Sequence, residues 1–223
     1  MLFLAVFCGF LAEYQLEHKI EKDREKVYIK NMYKDLKADT AIFQDYARTT
    51  NDYAREVDSL IYLMKSETRD LHLSEIYYYA RNLTISNINT MYSSQPTFSQ
   101  LKHSGQLRLI HNQEVANSIL SYYLETDQLN AQNDFILTQV AHYWDQAGNL
   151  FNGDVFYKIR QERKPPDPTN LRLITNDPVV INKFLVSIQY YYGSRMGQKE
   201  RADKMLQQAL VLMNLIKKEY HLD

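Results

Sequence analysis

The chain has 223 residues, enough for one large domain or two small ones with a real core. Its 26 basic and 27 acidic side chains nearly cancel, which leaves no global field to draw in nucleic acid or an anionic membrane surface. The single cysteine, Cys8, rules out an intrachain disulfide and a cysteine-ligated zinc site, and 6 Gly with 5 Pro are too few chain-breakers for a many-stranded sheet, so the composition favours long helices.

The first element is the apolar run from Leu2 to Ala12, which stops at Glu13. It has no basic region before it, as a signal peptide would, and Phe7 rather than a small residue precedes Cys8, which argues against a lipoprotein signal. A spanning helix needs about 20 apolar residues. This run supplies eleven, about 17 Å of helix. The charged stretch that follows, Glu17 to Lys26, mixes both signs and reads as a solvated spacer rather than a basic lipid-binding patch.

From Ile29 to Met64 the residues fall into heptads. The a positions are Ile29, Leu36, Phe43, Thr50, Val57 and Met64; the d positions are Met32, Asp39, Tyr46, Tyr53 and Leu60. Only Thr50 and Asp39 break the apolar stripe, so one continuous helix is predicted, and no Gly or Pro interrupts the chain between Phe10 and Pro96. A second helix is predicted at about 70–90, with Leu73, Ile76, Ala80 and Leu83 on one face, ending at the Ser93–Pro96 break. Pro96-Thr97 starts a short helix whose left-handed cap falls at Gly105, and Asn112 is placed to cap the next one. That third main helix, 112–147, alternates steps of four and three from Val115 to Ala147, a stripe about 48 Å long. Residues 148–176, with Lys164-Pro165-Pro166-Asp167-Pro168, read as an irregular connection. Asp177-Pro178 opens the last main helix, 177–220, in which only Arg195 and Lys199 interrupt the stripe, beside two glycines that suggest a kink or break.

Motifs for chemistry are sparse. His103, Ser104 and His111 lie close in sequence, but no G-x-S-x-G surrounds the serine, and the helix-end reading explains them. The E-x-x-H pairs of di-iron bundles and the H-E-x-x-H of zinc hydrolases are absent, as are phosphate-binding glycine loops. No catalytic residue, metal ligand or cofactor is therefore assigned. The tyrosine runs at 77–79, 122–123 and 190–192 cannot form one flat stacking platform, because successive helical residues point about 100° apart. They read as core and rim packing. Asn133, Arg195 and Lys199, polar positions on apolar stripes, are the candidates for buried polar or ligand-binding roles.

The opening stretch through Thr40, together with residues 98–123, resembles an uncharacterised Bacteroidota family of membrane-anchored, all-helical proteins whose shared region is a domain of unknown function. The pattern that carries the likeness is Leu101, Lys102, Ser104, Gly105, Leu107, Leu109, Ile110 and Asn112. The resemblance implies a membrane anchor and a helical domain, and no activity. In such an anchor Leu2, Phe3, Leu4, Val6, Phe7, Phe10 and Leu11 form the distal part of a spanning helix, and Met1 is an internal methionine, a misassigned start or an expression boundary. The bland alternative is an apolar helix end packed on protein.

The expected architecture is all-α: an elongated antiparallel four-helix bundle whose first helix continues from a partial transmembrane anchor. Residues 1–13 are the distal part of the anchor and 14–223 the bundle domain. The cations after the apolar run, from His18 to Lys30, could hold that end in the cytoplasm; an N-terminal anchor before one domain instead favours a single pass through the inner membrane with the bundle in the periplasm. The expected function is a non-enzymatic scaffold or protein-interaction module of the envelope, contacting lipid through the N-terminal segment and a protein partner or a second copy through the bundle, with no nucleic acid. The alternative is a membrane-anchored ligand-binding sensor; a hydrolase using His103 or Ser104 ranks third.

Overall fold

The computed structural model describes residues 2–85, 92, 93 and 95–222; at 2, 4, 5, 84 and 85 only the backbone is described. The last turn predicted for the second helix, residues 86–90, and Ser94 of the break after it lie outside the described residues. Among the described residues the protein is all-α, with no strand. Its α-helices are α1 (Leu2–Lys65), α2 (Leu73–Ile85), α3 (Pro96–Ser104), α4 (Gln113–Gly148), α5 (Gly153–Glu162) and α6 (Pro178–Tyr220). Two single 3₁₀ turns, Arg69–His72 and Gln106–Leu109, lead into α2 and out of α3.

The chain divides into two compact units, one comprising residues 1–42, 93–127 and 205–223, the other residues 43–92 and 128–204. In the first, Ile29, Met32 and Leu36 of α1, Phe98 and Leu101 of α3, Val115 and Ile119 of α4 and Leu212 and Ile216 of α6 are buried. Phe98 stacks on Tyr123 at 4.2 Å between ring centroids, the closest aromatic pair in that unit. Asp35 on α1 accepts the backbone N–H of Thr97 at 3.1 Å, so a carboxylate sits in the first turn of α3, where the helix dipole favours it.

The second unit holds one apolar cluster built from α1, α2, α4, α5 and α6, with Tyr53, Leu60, Ile76, Ala80, Tyr143, Phe151, Phe184 and Tyr191 at its centre. Its pairings run in opposite senses along α1 and α6: Tyr46 meets Gln198, Thr50 meets Arg195, and Tyr53 meets Tyr191.

Two expectations are corrected. Residues 153–162, assigned to the irregular connection 148–176, form α5. Asn152 caps it, its side-chain oxygen accepting the N–H groups of Asp154 and Val155 at 2.9 and 3.3 Å. Phe156 then packs edge-on against Tyr77 and stacks with Phe151, while Ile159 is buried, which supplies the apolar face a ten-residue helix needs. The rest of that connection is tied down as well: Tyr77 donates to the Arg172 carbonyl at 2.9 Å and Ser74 to that of Pro166 at 2.6 Å. The break suggested near Arg195 and Lys199 is also absent; α6 is one helix through both, because each polar side chain finds a partner without leaving the helix.

Residues 6–20 of α1 are exposed throughout, Val6 and Phe10 at 67 % and 66 %, and Phe3 before them is exposed at 82 %. Among the described residues no helix is long and apolar enough to cross a membrane.

Candidate functional site

In the first unit, the pattern from Leu101 to Asn112 is a helix end, a turn and a helix start. Leu101, Leu109 and Ile110 are buried, and Leu107 is half-buried. Gly105 takes the left-handed conformation (φ 67°) that ends α3. Lys102 and Ser104 stay exposed. Asn112 accepts the N–H of Val115 at 3.1 Å, capping α4, and its amide donates to Glu219 on α6 at 2.9 Å. His103 and Ser104 bond back to their own helix, at the carbonyls of Ser99 and Gln100. The structure thus brings neither to a carboxylate hydrogen bond among the described residues.

Beside this turn lies a constellation that the sequence reading did not single out. Glu25 on α1 is buried, and its carboxylate takes three donors: the backbone N–H of His111 at 2.8 Å and the Tyr220 hydroxyl at 2.6 Å on one oxygen, and His111 Nδ1 at 2.9 Å on the other. Burial pushes the Glu25 carboxyl up, but the bonds from Tyr220 and His111 outweigh it and hold it below the ordinary carboxylate range. Tyr220, in turn, is pushed well above its ordinary value, by burial first and then by the Glu25 charge, so it stays a donor. A partial signal was present: Glu25 stands one heptad before Met32, at a d position, so extending the stripe one heptad toward the N-terminus puts Glu25 on the buried face, though it gives no sign of His111 or Tyr220.

In the second unit, Arg195 and Asn133 are buried and Lys199 is half-buried. The Arg195 guanidinium lies over the rings of Tyr53 and Tyr46, at 4.8 and 5.3 Å, and reaches the Thr50 hydroxyl at 3.5 Å. One turn on, Tyr46 donates to Gln198, whose amide donates to Asn133 at 2.6 Å. Lys199 pairs with Asp203 at 2.8 Å. Arg195 and Asn133 therefore belong to a packed polar layer, whereas Lys199 pairs along its own helix.

A cleft of about 1080 Å³ opens in the same unit between α2, the end of α4 and α5. Phe151, Phe156 and Tyr143 contribute to its aromatic wall, and Arg81, Arg160 and Arg163 bring three cations to it. Arg81 donates to the Phe156 carbonyl at 3.3 Å; burial, then repulsion from Arg160, lowers its pKa, though a guanidinium remains charged. The sequence reading missed this cleft because α5, which builds one wall, was read as a loop.

Of the tyrosine runs, Tyr77, Tyr122, Tyr123 and Tyr191 are buried, Tyr78, Tyr79 and Tyr192 half-buried, and Tyr190 exposed. The apolar residues Phe3, Val6, Phe7, Phe10 and Leu11 all face solvent on α1; the side chains of Leu2 and Leu4 lie outside the described residues. Comparison with protein-family models, curated proteins and solved structures gives no match.

Proposed function

We propose that this protein is a non-enzymatic, membrane-tethered helical module of the cell envelope, a scaffold or interaction domain, with residues 1–13 in lipid and an antiparallel bundle outside it. The carrying observation is the exposed start of α1. A helix that is apolar all round belongs in an apolar environment, yet residues 6–12 are exposed on every side. Burying Phe3, Val6, Phe7, Phe10 and Leu11 would contribute about 1.5–3 kcal/mol for each large side chain. Eleven apolar residues reach about 17 Å, roughly half of a 30 Å hydrocarbon core, so the segment acts as the distal part of a longer span. The resemblance to membrane-anchored Bacteroidota proteins supports the same reading and favours a single pass in the inner membrane with the bundle in the periplasm. The opposed register of α1 and α6, and of α4 and α6, where Asn112 meets Glu219 and Glu125 meets Gln208, supports the antiparallel bundle. The test is membrane fractionation with protease protection, on this chain and on one extended in frame upstream of Met1. Integral association of the extended form, with the bundle accessible only from the periplasm, is the expected result; two freely soluble forms would sink the proposal.

The cleft favours a second reading, a membrane-anchored sensor for a small anionic ligand. Arg81, Arg160 and Arg163 line the cleft beside Phe151, Phe156 and Tyr143, so an anionic group would meet cations there while its apolar part meets the aromatic wall. Thermal-shift screening of aromatic and aliphatic carboxylates, with Arg160→Gln as the comparison, separates the two readings: a scaffold shows no shift that the substitution removes.

A further inference from the structure

His18 and Glu21 stand three residues apart on α1, so both project from one face, and Glu25 follows one turn later. The loop before α4 brings His111 onto that face. The His18 and His111 rings meet edge to face, their centroids 6.0 Å apart. A ring nitrogen of each histidine and a carboxylate oxygen of Glu21 lie within 4.8 Å of one another.

What distinguishes this cluster from an ordinary surface pair is how His111 is held. Glu25 accepts both its backbone N–H and its Nδ1 proton, at 2.8 and 2.9 Å. With the proton held on Nδ1, the free lone pair is on Nε2. Metal-binding histidines use this arrangement: a buried carboxylate fixes the tautomer and the ring, and raises the basicity of the other nitrogen.

We propose that His18, Glu21 and His111 bind one divalent transition-metal ion, best matched by Zn²⁺, with Glu25 as the positioning residue that orients His111. Two imidazoles and one carboxylate suit zinc and its neighbours, whereas calcium and magnesium select all-oxygen sets. Three protein donors leave a fourth tetrahedral position for water. Ligands about 2.1 Å from the ion are roughly 3.4 Å apart in a tetrahedron. The donors must therefore draw closer than the 4.8 Å within which they now lie. His18 is exposed and Glu21 half-buried, so their side chains turn to meet a His111 that Glu25 keeps still. The ion would clip α1 to the start of α4 at the point where α1 leaves its packed surroundings, since residues 6–20 are exposed and Ile29 is fully buried. His18-x-x-Glu21 reverses the E-x-x-H order but places two ligands on one face equally well, and the third comes from a distant loop.

The test is isothermal titration of the tag-free, chelator-treated full chain with Zn²⁺, and of cobalt substitution by visible absorption. One equivalent should bind with low-micromolar Kd or tighter. His18→Ala and His111→Ala should each weaken binding at least tenfold, and Glu25→Gln about 10- to 100-fold. His103→Ala should leave the isotherm unchanged. Since His18 is exposed, His18→Ala should retain its fold by circular dichroism and so remains decisive even if the Glu25 variant unfolds. Absence of saturable binding at one equivalent, or an unchanged isotherm in His18→Ala, overturns the proposal. Neither result depends on whether residues 1–13 enter lipid.

Discussion

Tyr122→Phe removes one oxygen from the first unit and leaves the ring in place. The hydroxyl donates to Asp39 Oδ2 at 2.7 Å, with Tyr122 3 % exposed and Asp39 fully buried. Burial first, and then the neighbouring Asp39 charge, pushes the hydroxyl far above its ordinary pKa, so it remains a donor at every pH at which the fold survives. A hydrogen bond to a charged group contributes about 1.5–3 kcal/mol, and Asp39 keeps further contacts, so the loss should be about 2 kcal/mol. For a chain of this length that is roughly 4–8 °C in Tm. Phenylalanine preserves the edge-to-face contact with Tyr123 at 5.2 Å, so little of the loss comes from packing. The assay is urea denaturation, which should show a lower midpoint with an unchanged slope. A double-mutant cycle with Asp39→Asn should give a coupling of about 1 kcal/mol or more. A loss below about 0.5 kcal/mol, or strictly additive single losses, would refute the claim that this pair stabilises the unit.

Glu25 has its carboxyl pKa lowered in the folded protein, so its contribution is fully present above the unfolded value of 4.5 and is lost as pH falls through the lower folded value. The stability difference between the native chain and Glu25→Gln should therefore be constant from pH 7 to about 5 and shrink below that, measured by urea midpoints across pH. At Gly105 a Cβ meets nothing within 4 Å, but φ is 67°, so Gly105→Ala should cost about 1 kcal/mol from backbone strain alone. Gly193 also has open space and lies inside α6, so Gly193→Ala should stabilise by about 0.5–1 kcal/mol; thermal melts of the two variants should move in opposite directions.

The long helices were legible because period and burial agree: every apolar a and d position from Ile29 to Met64 is buried. Caps were legible for a local reason. Asn112 and Asp177 act within three residues of themselves, at Val115 and Val179. α5 escaped notice because it is short, starts at a glycine and ends just before Lys164-Pro165-Pro166-Asp167-Pro168, although Asn152 and the Val155–Ile159 spacing were there to be read. The polar candidates Asn133 and Arg195 were visible as breaks in stripes, but their partners Gln198, Tyr46 and Tyr53 were not, because pairing depends on the facing helix. The Glu25–His111–Tyr220 contact is hardest of all. Its members come from three separate segments, and nothing local to any one of them announces the others.

Heptad stripes leave a problem that these contacts answer. Sliding α6 by seven residues along α1 keeps apolar faces together, so hydrophobic burial alone distinguishes weakly between registers. In the second unit such a slip would carry Arg195 from Thr50 toward Phe43 or Val57, stranding a guanidinium on buried aliphatic or aromatic surface, and would separate Gln198 from Tyr46. In the first unit, shifting α4 by one heptad would set Val115 or Leu129 against Asp39 in place of Tyr122. A buried polar group left without its partner costs about 1–3 kcal/mol, more if charged, and several such groups would open together. The few polar residues that interrupt the stripes therefore stabilise the fold where they are matched and penalise it where they are not. An interruption on one helix is a local cost; an interruption answered on the facing helix selects the register.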